Sequence, residues 1–166
     1  MALLLQIVTN TPLWVWPLLL LVLWLGWLGL SPRIVSVRLG ILPLAGLISS
    51  LVGVMQSPTP LLAAGSWLVA LLAALPVGYM IGGWRPVRAL SDGRFEAEGG
   101  WFMLIFGVVI FAARYTLGVL FGMSPALKAE TLWIMVANGV GGVVAGIGLG
   151  WFASLWLRAR RAPAGA

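Results

Sequence analysis

Five stretches of this chain each reach the roughly 20 mostly apolar residues that a membrane-crossing helix needs. They cover residues 12–30, 34–55, 60–82, 101–121 and 132–157. That pattern leaves little chain for anything else. Only 8% of the 166 residues are charged and 61% are hydrophobic, whereas about a quarter of a soluble domain is charged. Disorder needs low hydrophobicity and high charge, so it is excluded too. The expectation is an all-α, polytopic transmembrane helical bundle of five spanning helices, forming one domain over 1–166.

The helix starts are punctuated by Ser or Thr followed by Pro, at Thr11-Pro12, Ser31-Pro32, Ser57-Pro58, Thr59-Pro60 and Ser124-Pro125. A hydroxyl suits the N-cap, and proline suits the first helical position because its missing N–H would be unpaired there. Four helices are expected to begin this way. The fourth helix instead follows Glu96, Glu98 and Gly99-Gly100, acids that complement a helix N-terminus. Gly29, Gly82-Gly83 and Gly122 fit helix ends. Pro17, Pro43 and Pro76 are expected inside spans or near their starts, with Pro43 and Pro76 freeing the carbonyls of Leu39 and Leu72.

The net charge of +6 comes mostly from residues between the apolar segments and after the last of them. Arg33, Arg38, Arg85, Arg88, Arg94, Arg158, Arg160 and Arg161 share one side if there are five crossings, and the other holds only Lys128. The positive-inside rule then sets the N-terminus outside and the C-terminus in the cytoplasm. No basic face on a soluble domain exists to bind nucleic acid. The first eight residues lack the basic n-region of a signal peptide, so Met1 onward is expected to be retained, with 2–8 as a short helix on the outer face. Trp14, Trp16 and Trp133 fit an outer aromatic belt, and Trp27, Trp84, Trp101, Trp151 and Trp156 an inner one. Trp24 and Trp67 fall deeper. The segment 84–100, with a turn at Ser91-Asp92-Gly93, reads as a solvated cytoplasmic loop or a docking surface, and 158–166 as a basic tail.

Chemistry is limited by what is missing. With no Cys and no His, thiolate sites and the commonest metal ligand are absent, and no metal or cofactor is expected. The carboxylates are Asp92, Glu96, Glu98 and Glu130, and none lies inside a span. That disfavours an enzyme and a proton-coupled carrier. No repeated filter or charge ring suggests a channel.

Arg114 is the exception, a cation within the fourth span. Insertion scales put arginine at a helix centre at about 2.5–3.5 kcal/mol unfavourable. Gly107, Phe111, Arg114, Gly118 and Gly122 share a stripe, so Arg114 is expected to face the bundle. Three roles are open to it. It pairs with Glu130, Asn138 or a backbone carbonyl and fixes packing; or it binds a carboxylate, phosphate or lipid headgroup through its planar fork; or it snorkels to the outer headgroups. Tyr115, Asn138, Glu130, Ser49, Ser50 and Ser66 fall in the same leaflet and are its candidate companions in an outer-half polar cavity.

Gly142, Gly146 and Gly150 repeat at small-xxx-small spacing, as do Gly118 with Gly122 and Gly78 with Gly82. These are helix-packing positions, within the chain or across a dimer. The string 139–150 is not a phosphate loop, because it lacks GxxxxGK[ST] and a strand.

The opening Thr11-Pro-Leu-Trp-Val-Trp16, the run to Leu-Trp-Leu-Gly26, Arg33, Leu42-Pro43 and Arg114-Tyr115 together resemble a family of small bacterial multi-pass inner-membrane proteins of unassigned activity. More remotely the chain is similar to small membrane proteins associated with cytochrome c biogenesis, although it lacks Cys and His for haem or thiol chemistry. The resemblance implies a helical protein of the bacterial inner membrane and transfers no activity. Two functions remain in view. The first is a non-catalytic scaffold, assembly or accessory component, as a homodimer or with a membrane-protein partner. The second is a carrier or binding protein for an organic anion or lipid headgroup at Arg114.

Overall fold

The computed structural model describes residues 13, 15–31, 33–36, 41–83, 87–89, 94–97 and 100–161. The expected helix over 2–8, the Thr11-Pro12 start, Trp14, Arg38, Trp84, Arg85, the 91–93 turn, Glu98 and the tail beyond 161 lie outside them.

Each long apolar segment contains a helix. In chain order these are α1 (Val15–Leu28), α2 (Ile41–Met55), α3 (Pro60–Gly83), α4 (Phe102–Met123) and α5 (Thr131–Arg161). A 3-10 turn, Pro125–Ala129, joins α4 to α5. Three stretches, Pro60–Gly83, Phe102–Met123 and Thr131–Arg158, are long and apolar enough to cross a membrane. This is a helical membrane protein. Five spans were expected; α1 and α2 have 14 and 15 residues. At 1.5 Å per residue they reach only about 21–23 Å, short of a hydrocarbon core of about 30 Å.

The second segment is the clearest correction. A helix was expected from Ile34, but Arg33–Ser36 is a strand, β1, and α2 begins only at Ile41. Two further strands, β2 (Val87–Ala89) and β3 (Arg94–Ala97), occupy the expected loop. The three form an antiparallel sheet in the order β1-β3-β2. It is the one departure from an all-α chain among the described residues. Its register sets Ser36 opposite Arg94 and Arg88 opposite Glu96. Beside it, the Gly100 N–H donates to the Gly29 carbonyl at 2.9 Å. Both basic connections therefore meet at one end of the molecule.

The prolines divide by position. The Thr59-Pro60 start is seen, with Pro60 the first residue of α3. Ser31-Pro32 precedes a strand and Ser124-Pro125 opens the 3-10 turn, so neither starts a long helix. Pro43 is third in α2, where its missing N–H would have had no helical partner; it does not kink a span. Pro76 stands inside α3 and cannot donate to Leu72.

The core is the seam between α3 and α5. An added Cβ at Gly142, Gly146 or Gly150 would collide with the backbone carbonyl of Trp67, Leu71 or Leu75 respectively, and one at Gly78 with that of Ile147. Small residues let the two backbones approach this closely. The matching ascends in both helices, so α3 and α5 run parallel. Val54 on α2 joins Ala63, Trp67, Leu71, Ile134 and Ala145 in the buried cluster. A second pair, α1 against α4, is antiparallel: Gly26 and Gly29 take Leu104 and Met103, and Gly107 takes Val22. Antiparallel α4 and α5 are bridged by long side chains, Phe102 on Trp151 (6.4 Å between centroids) and Phe121 on Trp133 (6.3 Å).

The chain has no cysteine, which gives the sheet a clean test. Cα partners in an antiparallel pair lie about 4.5–5.5 Å apart, within disulfide range. Ser36→Cys with Arg94→Cys is expected to form an intrachain disulfide on mild oxidation, seen by intact mass. Ser36→Cys with Lys128→Cys, at opposite ends of the molecule, should form none.

Candidate functional site

Arg114 comes from the middle of α4. Its nearest described surroundings are on α5, where one terminal guanidinium nitrogen lies 3.4 Å from the point a Cβ on Gly141 would occupy. Ser50 Cβ and Trp67 Cδ1 lie 3.3 and 3.6 Å from the same point. Four helices thus converge at one position, and the missing side chain of Gly141 leaves the room for it.

The floor of this site is buried and hydrogen-bonded. Trp67 is 9% exposed and Ser50 6%. The Trp67 indole N–H donates to Ser50 Oγ at 3.1 Å, and Ser50 Oγ–H donates to the Leu47 carbonyl at 2.8 Å. An indole N–H buried in an apolar span gains from a protein acceptor, since no water is there to supply one. The chain Trp67–Ser50–Leu47 supplies it and fixes both side chains.

Depth follows from helix position. Gly141 is about 15 Å along α5 from Thr131, and Arg114 about 14 Å from the end of α4 at Met123. In a hydrocarbon core of about 30 Å these positions fall near the middle. The guanidinium stays at the level of Gly141 rather than rising to the helix end. Arg114 is itself exposed, and among the described residues it has no hydrogen-bond or ion-pair partner.

The expected companions separate. Glu130 is exposed just before α5, about 16 Å along the axis from Gly141, too far to pair with the guanidinium. Asn138, half-buried and one turn from Gly141, gives its amide N–H to the Ile134 carbonyl at 2.8 Å. Tyr115 stacks on Phe111, 6.1 Å between centroids. Ser50 is in the site; its neighbour Ser49 is exposed. Ser66 donates to the Ala63 carbonyl at 3.0 Å and lines a different feature, an open apolar groove of about 840 Å³ with Leu61, Gly65, Val69, Leu132 and Met135. It lies about 100° around α3 from Trp67.

The glycines separate likewise. Gly142, Gly146 and Gly150 are filled by α3, which leaves no room there for a second copy, whereas Gly118 and Gly122 meet nothing within 4 Å. Two members of the site, Trp67 and Gly141, were not among the residues expected to form it. The signal available was a tryptophan in mid-span whose N–H gains from an acceptor at the depth of Ser50. Among the described residues no group of three or more carboxylates, histidines or cysteines could hold a metal.

No protein-family model, curated protein or solved structure matches the chain.

Proposed function

We propose that this is a non-catalytic protein of the bacterial inner membrane that binds an anionic group, an organic anion or lipid headgroup, at Arg114. The observation that carries the reading is a guanidinium near mid-depth, set against Gly141 and the Trp67–Ser50 pair, with no anionic partner among the described residues. Such a charge is costly in hydrocarbon unless it is paired or solvated. The planar fork of arginine suits a carboxylate or phosphate oxygen pair. The orientation that goes with this reading has the N-terminus outside and the C-terminus cytoplasmic. What supports it is the gathering of the basic connections at the sheet end and the parallel course of α3 and α5.

A second reading, a scaffold or accessory subunit, is favoured by α4, whose one buried residue is Leu117. A partner chain or second copy would cover that helix.

Native mass spectrometry of the protein extracted gently from its own membrane distinguishes them. The wild type is expected to carry a small anionic adduct that Arg114→Gln loses while remaining folded by circular dichroism. An adduct-free chain holding another polypeptide, unchanged in the variant, would favour the accessory reading.

A further inference from the structure

Resting on the anion-binding reading, we infer that the ligand is a single-chain amphiphile ending in a carboxylate, which reaches Arg114 sideways from the bilayer. Three observations carry this. First, the seam between α4 and α5 is bridged by rings on both sides of Arg114, by Phe102 on Trp151 toward the sheet and by Phe121 on Trp133 toward the 3-10 turn. A water-soluble anion following that seam from either aqueous face meets an aromatic bridge before the guanidinium. Second, Arg114 is exposed near mid-depth on a helix long and apolar enough to cross the membrane. The open approach is therefore lateral, from the hydrocarbon, where a ligand's apolar chain can remain. From Arg114 to the helix end at Met123 is about 14 Å, the length of roughly eleven methylenes by standard covalent geometry.

Third, charge selects the head. Arg114 is the single charged residue in the interior of the described helices, so it neutralises one negative charge. A carboxylic acid can shed its charge on entering hydrocarbon and regain it beside the guanidinium, because burial disfavours the ionised form and an adjacent cation restores it. A phosphodiester headgroup stays ionised and would have to be drawn about half the thickness of the core inward. The two carboxylate oxygens match the arginine fork.

The test is equilibrium binding of radiolabelled hexadecanoate and butyrate to the protein in phosphatidylcholine nanodiscs, with empty discs subtracted. Saturable binding of about one hexadecanoate per chain is expected, at least tenfold weaker in Arg114→Gln, as for loss of a charge-assisted contact. Butyrate should show no saturable binding at the same concentrations. Methyl hexadecanoate should not compete on the wild type, which tests the charge requirement without a variant. Butyrate binding as tightly as hexadecanoate, and depending on Arg114, would overturn the amphiphile while leaving the anion reading intact. Displacement by added phosphatidylglycerol would overturn the carboxylate in favour of a phospholipid headgroup. Hexadecanoate binding equally to Arg114→Gln, or not at all to the wild type, would overturn the carboxylate amphiphile, whereas the anion reading falls separately if the native adduct persists in Arg114→Gln.

Discussion

Gly146→Leu will separate α3 from α5 and destabilise the protein by about 3 kcal/mol or more, at the upper end of what overpacking costs. The atom that an added Cβ would strike is the Leu71 backbone carbonyl, with Ala74 Cβ at 3.0 Å and the Leu75 nitrogen at 3.1 Å. Backbone cannot rotate away as a flexible side chain can, so relief requires the helices to move apart. Moving them opens the cluster of Trp67, Leu71, Ile134 and Ala145, and with it the Trp67–Ser50 hydrogen bond under Arg114. In a bilayer the contact between helices is held by close van der Waals packing rather than by the hydrophobic effect, so little compensates for the lost approach. Gly118→Leu is the control. Nothing lies within 4 Å of its Cβ position, and its effect is expected to stay within about 0.5 kcal/mol. Urea unfolding in a non-ionic detergent, followed by circular dichroism, measures both. A Gly146→Leu protein as stable as the wild type would mean that α3 and α5 do not pack this closely.

Much of the helical frame was legible because the bilayer imposes it. Length and apolarity alone mark α3, α4 and α5, and Thr59-Pro60 marks the start of α3 to the residue. The sheet was not legible. Arg33–Ser36 pairs with Arg94–Ala97, some sixty residues away, and strands of four residues carry no periodicity of their own. Ile34, Val35 and Val37 read as the start of an apolar helix, although β-branched residues followed by Gly40 fit a strand and a break equally well. At the site, the depth of Arg114 and its companion Ser50 could be read from helix position. Its distance from Glu130 could not, because depth along one helix says nothing of which level on α5 lies opposite. Gly141 was hidden for a related reason: in a run of glycines only the neighbouring helices decide which one is left open.

The second large effect concerns the Arg114 charge itself. In the ligand-free folded protein the guanidinium sits near mid-depth with no partner among the described residues, while on unfolding in a non-ionic micelle it reaches water. The folded state therefore bears a cost that the unfolded state escapes. Arginine at a helix centre is about 2.5–3.5 kcal/mol unfavourable on insertion scales, and its exposure in the fold recovers part of that. Leucine has no such cost. A site kept for binding at the expense of stability behaves in this way, whereas a buried structural ion pair loses about 3–5 kcal/mol when one member is removed. The sign of the change separates the two. The measurement is the unfolding free energy of lipid-stripped wild type and Arg114→Leu, by urea titration in a non-ionic detergent. An unpaired binding cation predicts a variant more stable by about 1–3 kcal/mol; a variant less stable by about 3–5 kcal/mol would show Arg114 to be a structural pair and contradict the account.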